Sequence, residues 1–466
     1  MQLVAYGAQD TYLSGNPQIT FFKVVYRRHT NFALESIEQT FSGTANFGKK
    51  VQCTISRNGD LIHKIYLQAT LPEVKLDSSL PTGSQFRWLE QVGHNLIKSV
   101  ELEIGGQRID KHYGDWMSIW AELTMDAGKR HGYDKMIGDV AELKAIKTKT
   151  GTDCEGGCAP GTGVPATGCA PEYTVYVPLQ FWFCRNPGLA LPLIALQYHE
   201  VKINLEFNEL RNLIWTSKET TAAIPASGSG SSAIAAVPAV TAASPEVMQI
   251  VSNLGLQSAS LYVDYVYLDT DERRRFAQAS HEYLIEQLQF TGGESITAAQ
   301  QKLKLGFNHP VKELVWVVQK DTYNSCSGAS QAKKGAQPFN FSDQWEDVDS
   351  GAKYGKNPVA QAKLQLNGHD RFSERDGSYF SWVQPFQHHT NVPTKEGINV
   401  YSFALRPEEH QPSGSCNFSR IDNATLILNM TANTVNVNST AQVRVYAINY
   451  NILRVMAGMG GLAYSN

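Results

Sequence analysis

Cys154, Cys158 and Cys169, with Cys184 beyond them, are the densest group of candidate metal ligands in the chain. Thiolates in a Gly-rich loop can hold Zn²⁺ tetrahedrally, but the spacing C-x3-C-x10-C lacks the paired CxxC knuckles of structural zinc sites. Free loop thiols are the expectation, with metal binding or pairing among Cys154, Cys158 and Cys169 left open. His199-Glu200 and His281-Glu282 each open a HExxH pattern whose second histidine is missing. GTGVPATG (161–168) has Ala166 where a dinucleotide fingerprint needs its third glycine, and no P-loop or GxSxG elbow is present. His388-His389 and the acidic stretch SDQWEDVD (342–349) could gather a cation, but such residues in a loop are expected to be polar surface. No catalytic residue, cofactor or metal is therefore assigned.

Two further patterns concern modification and charge. Sequons N-x-[ST] begin at Asn340, Asn417, Asn423, Asn429 and Asn438. Asn423 and Asn429 fall in a predicted strand, which leaves Asn340, Asn417 and Asn438 as candidate glycosylation positions, with the loop residue Asn340 foremost. The basic runs Arg27-Arg28-His29 and Arg273-Arg274-Arg275 could meet nucleic acid or acidic neighbours. Asp269, Asp271 and Glu272 flank the second run, so salt-bridged junctions are expected instead, and no sequence-specific nucleic-acid binding is assigned.

The elements that must carry these residues are mostly strands. The chain has 466 residues, 18% charged and 42% apolar, with a net charge of −3, so no global field draws it to DNA or an anionic membrane. The start, MQLVAYGAQD, has neither a basic n-region nor an apolar h-region. No stretch reaches the ~20 apolar residues of a membrane span. A cytosol-like compartment is expected, and seven cysteines fit reduced thiols there. In EVKINLEFN (200–208), Val201, Ile203, Leu205 and Phe207 alternate with polar residues. VELEI (100–104) and KVQCTIS (50–56) alternate in the same way, which buries one face of an antiparallel sheet and wets the other. Helical periodicity is confined to about 111–128 and 270–283.

Six segments recur in the same order along the chain. IEQTFSG (37–43) returns as IEQLQFTG (285–292), and KKVQCTIS (49–56) as QKLKLGF (301–307). IHKIYLQAT (62–70) returns as VKELVWVVQ (311–319), and VELEIGGQ (100–107) as KLQLNGHD (363–370). HEVKINLEF (199–207) returns as IDNATLILN (421–429), and SASLYVDYVYL (258–268) as TAQVRVYAINY (440–450). Two copies of one sandwich follow, each with seven recognisable strands; 181–196 or 18–26 is expected to supply an eighth in the first copy. The Gly/Pro-rich stretch 151–172 and the Ala/Ser/Thr/Gly-rich stretch 217–247 follow strands four and six of that count, hence leave one end of the first copy. The gap 320–361 of the second copy follows its third strand and is expected at the other end.

GNPQITFFK (15–23) and YRRHTNFA (26–33), with the ending YNILRVMAGMGGLAYSN (450–466), resemble the major capsid proteins of nucleocytoplasmic large DNA viruses over essentially the whole chain. The resemblance implies an all-β fold: a double jelly roll of two tandem antiparallel eight-stranded sandwiches with few short helices. It implies a structural protein that forms pseudo-hexagonal homotrimers, the capsomers of an icosahedral shell. Neighbouring capsomers, minor capsid proteins, the penton and an internal membrane layer are the implied partners, and the virion, assembled in host cytoplasm, is the implied location. The corresponding division is 1–20 as an N-terminal segment on the inner side, 21–270 as a first jelly roll with loop insertions near 118–172 and 211–256, 271–283 as linker, and 284–466 as a second jelly roll with a C-terminal tail. The decorated end of the first copy should face outward. A carbohydrate-binding jelly roll or glycosidase, and a minor capsid or vertex component, are the alternative readings.

Overall fold

In a computed structural model the protein is described over residues 7–22, 28–76, 84–148, 169–216, 218–221, 240–243, 254–324, 334–347, 355–436 and 439–465. Sixteen main strands build it. The first eight are β1 (Phe32–Gln39), β2 (Lys50–Thr54), β3 (Leu61–Leu71), β4 (Ile97–Ile104), β5 (Gln107–Tyr113), β6 (Tyr173–Pro178), β7 (Val201–Phe207) and β8 (Ser258–Leu268). The second eight are β9 (His281–Ile296), β10 (Gln300–Lys304), β11 (Pro310–Lys320), β12 (Val359–Leu366), β13 (His369–Asp370), β14 (Ile398–Ser402), β15 (Ala424–Met430) and β16 (Ala441–Met456). They pair antiparallel in the orders β1-β8-β3-β6 and β2-β7-β4-β5, then β9-β16-β11-β14 and β10-β15-β12-β13, with short marginal strands added to three of the four sheets. The second pair of sheets is the first pair with eight added to every number. This order is that of a jelly roll, and it occurs twice. All six repeated segments occupy matching strands.

The cores follow from alternation. Along β7 the register seats Ile203 between Cys53 of β2 and Leu102 of β4, and Val201, Ile203, Leu205 and Phe207 all turn inward. They meet Ile65, Leu67, Leu261 and Val263 from the facing sheet in one core. The second core gathers Leu303, Leu314, Trp316, Leu364, Leu426 and Val443 in the same manner. Each fully buried side chain of this size contributes roughly 1.5–3 kcal/mol.

The eighth strand of the first copy is β5, not a segment within 181–196 or 18–26. Residues 181–196 form helical turns and the short marginal strand Leu191–Pro192, and 18–22 are irregular. Counting β5 corrects the parity of the loops. The long connections β5–β6 and β7–β8 follow odd strands, and so does β11–β12, which carries 321–358. In an alternating sandwich all of them leave equivalent ends, so the expectation that 320–361 exits at the other end fails. The two decorated ends adjoin: Asn391 N donates to Leu123 O at 3.0 Å, and Arg87 Nε donates to Lys334 O at 2.7 Å.

Helices fill the connections. α1 (Gly114–Thr124) and α2 (Ala127–Met136) follow β5, α3 (Thr270–Gln278) links the two sandwiches, and a π-helical stretch Tyr379–Val383 runs into α4 (Gln384–His388). α1 and α3 fall where helical periodicity predicts them. At the linker Arg273 reaches the buried carboxylate of Asp60 at 2.9 Å and ties α3 to the first sandwich. Arg27 lies outside the described residues.

Candidate assembly interface

α1 is buried from Trp116 to Leu123 because both sandwiches cover it. Met117 enters the first core. Trp116, Ile119, Trp120 and Leu123, at i, i+3, i+4 and i+7, lie against Val315, Val317, Ile398, Val400, Tyr446 and Ile448 of the second sandwich. Those six side chains form the outer face of the sheet β9-β16-β11-β14, whose inner face holds Leu314, Trp316, Val443 and Val445. Every residue of β11 from Val311 to Gln319 is therefore buried, whereas β3, its counterpart, alternates.

Charges stitch the same junction. Arg444 and the hydroxyl of Tyr446 donate to Asp115 Oδ2 at 2.7 and 2.6 Å. Leu288 N donates to Asp110 Oδ1 at 3.0 Å, and Gln287 donates to the carbonyl oxygen of Ile109. Glu286 lies 2.8 Å from Lys312 Nζ and 2.9 Å from Arg185, whose guanidinium stacks 5.0 Å above Trp120. Burial opposes the Glu286 carboxylate, but Arg185 and Lys312 outweigh it and hold its pKa below the usual range. Burial draws the fully enclosed Lys312 ammonium below the usual lysine range, against the pull of Glu286.

His389 is the largest departure from the sequence reading. The expectation of polar loop surface at His388-His389 fails for His389: its fully enclosed imidazole touches Glu313 and Glu408, each at 2.9 Å. Burial disfavours the cation, yet the two carboxylates prevail and push it up to about 9. His388 meets the carbonyl oxygen of Leu405 instead.

The remaining candidates separate cleanly. Asn340 is a correction: its side chain is buried, and its Nδ2 donates to Gln337 Oε1 at 2.7 Å and Gln344 O at 2.9 Å, leaving no nitrogen for a glycan. Asn417 is exposed, with its Oδ1 accepting from Ser419 N. Asn438 lies outside the described residues, as do Cys154 and Cys158. Cys169 corrects the free-thiol expectation, since it is disulfide-bonded. Burial pushes the Cys53 thiol up to about 11 and the Cys184 thiol up to about 12, which leaves both inert. Among the described residues, no group of three or more His, Cys, Asp or Glu could hold a metal ion. A cleft of about 680 Å³ opens between the two sandwiches, but Glu122 and Asp134 both pair with Arg130, at 2.6 and 2.9 Å, and Asp139 pairs with Lys144 at 2.7 Å. Three of the carboxylates lining it are thus held in ion pairs.

Large apolar side chains remain in water at several places. They include Ile19, Phe21 and Phe22 of the N-terminal arm, each more than nine-tenths exposed. Phe32 and Leu34 project from β1, Trp382, Val383 and Phe386 from the helical stretch 379–388, and Met456, Met459 and Tyr464 from the C-terminal hairpin region. Where such side chains adjoin, exposed apolar surface marks contact sites. The chain matches two family models in tandem: "Major capsid protein N-terminus" over residues 20–269 and "Large eukaryotic DNA virus major capsid protein" over residues 272–461. The chain is a major capsid protein of the large eukaryotic DNA viruses. It is 50% identical to the major capsid protein of Phaeocystis pouchetii virus and 52% identical to that of Pyramimonas orientalis virus, with 100% of this chain and 99% of each relative covered. The PBCV-1 virus capsid structure superposes with a TM-score of 0.68 at 38% identity, over 96% of this chain and 100% of that one. The role of this major capsid protein is structural, not enzymatic, and the double jelly roll is its fold.

Proposed function

We propose that the chain works as a homotrimeric capsomer, three chains contributing six similar sandwiches to a nearly hexagonal outline that tiles an icosahedral shell. The observation that carries this reading is the strand order β1-β8-β3-β6 with β2-β7-β4-β5, repeated strand for strand in the second half. A threefold ring of such chains approximates sixfold packing, and a closed ring follows from head-to-tail contacts that return on themselves. Permanent interfaces of this kind typically bury about 2,000–5,000 Å².

The division into residues 1–20, 21–270, 271–283 and 284–466 belongs to the same reading. The shared decorated end supports an outward orientation for the long loops. β1 starts at the opposite end, and the apolar arm before it supports a role on the inner side, against neighbouring capsomers, minor capsid proteins or an internal membrane layer. The penton and assembly in host cytoplasm complete the proposal. Asn417, exposed at the end of the short marginal strand Cys416–Asn417, is the described candidate open to a glycan. Light scattering on the purified chain is expected to give three times 51.5 kDa, and a stable monomer at high concentration would refute the capsomer reading.

A further inference from the structure

The interface inside the chain has an unfilled counterpart. α1 leaves β5 at Gly114, where a methyl group would collide with the carbonyl oxygens of His94 and Ile97. The second sandwich repeats this departure after β13 at Gly377, where a methyl group would collide with the carbonyl oxygen of Val359. Ile97 and Val359 are the first residues of the matching strands β4 and β12. The helix after each glycine is therefore pressed against the same point of its own sandwich. Aligned on those glycines, Met117 corresponds to Phe380, and each enters its own core. Ile119, Trp120 and Leu123 then correspond to Trp382, Val383 and Phe386. The first three are buried on the second sandwich, whereas the last three are 54%, 40% and 78% exposed.

The receiving surface is covered only in part, where Ala190, and Phe276 of α3, pack on Leu61 and Val266. The outer face of β9-β16-β11-β14 is covered by α1, while the matching outer face of β1-β8-β3-β6 leaves Leu34 60% and Tyr176 42% exposed. Charge is available to the pairing as well, at positions the glycine alignment does not match. Within the chain the acid Asp115 is on the helix and Arg444 on the sheet. In the unfilled pair Arg375 stands exposed two residues before Gly377, and the sheet carries Glu38 and Asp264.

We propose that Trp382, Val383 and Phe386 of one chain dock on the outer face of the β1-β8-β3-β6 sheet of a second copy of this chain, against Leu34 and Tyr176. The proposal rests on the capsomer reading and specifies its contact. Every sandwich then covers the sheet of the next, once within the chain and once between chains, and the ring closes after three chains.

Two double variants test it: Trp382→Glu with Phe386→Glu on the helix, and Leu34→Glu with Tyr176→Glu on the sheet. All four positions are exposed in the single chain, so circular dichroism should match the parent chain. Each variant alone is expected to sediment as a 51.5 kDa monomer. Their equimolar mixture is expected to give a heterodimer, because one supplies an intact sheet and the other an intact helix. Either variant remaining trimeric overturns the docking assignment while leaving the capsomer reading in place. Monomeric variants that fail to associate on mixing overturn the helix-to-sheet pairing. A monomeric parent chain overturns both readings.

Discussion

At His389 a charge is held where none could exist alone. With its folded pKa pushed up to about 9, above the ordinary value near 6.5, the imidazolium adds stability that is fully present below about pH 6.5. That contribution is lost as the pH rises through about 9. Urea unfolding followed from about pH 6 to pH 10 should therefore show stability falling on the alkaline side, and His389→Gln should flatten that part of the profile. The substitution leaves the enclosed Glu313 carboxylate without its cation, at an expected cost of about 3–5 kcal/mol. Asn340 is the second residue where position in space overrides local pattern. Peptide mapping is expected to find it unmodified, and Asn340→Ala should destabilise by about 1–3 kcal/mol through the lost buried hydrogen bonds. Neither environment was legible in the sequence. A sequon spans three residues, while the burial of Asn340 and the partners of His389 depend on segments far apart in the chain.

Strands that alternate were legible; strands whose inward residues are polar, or whose two faces are both covered, were not. β7 reads plainly because every inward side chain is apolar. β5 escaped because only Ile109 among its buried residues is apolar. The other two, Asp110 and His112, pair at 2.9 Å, so a half-buried strand looks like a polar loop. Missing it reversed the loop parity. In β11 the run from Leu314 to Val318 is apolar without a break, and that was the available signal that α1 covers its outer face. α1 itself stood out through its helical periodicity, but its partner surface did not. Trp120→Ala should cost about 3–5 kcal/mol in denaturant unfolding, since the side chain is almost fully buried between the sandwiches. Gly114→Ala and Gly377→Ala should each destabilise by about 1–3 kcal/mol, because backbone oxygens occupy the space a methyl group needs. Near-neutral effects at both glycines would contradict the matched departure of the two helices.

For the whole molecule, duplication and shape are one statement. The order of six repeated segments carried the two-sandwich architecture, and the termini carried the family. The division of apolar surface between a covered sheet and a bare one emerges only when the sandwiches are compared in three dimensions. Removing residues 1–20 is expected to leave the capsomer intact and to impair shell assembly, as read by particle yield, because the described part of the arm, residues 7–20, adds nothing to either core. The most direct test of the central claim is the rotational self-correlation of capsomer density from electron cryo-microscopy. A threefold particle built from duplicated lobes predicts a strong secondary peak at about 60° besides the one at about 120°. Density with no peak near 60°, or a particle that is not threefold, would contradict it.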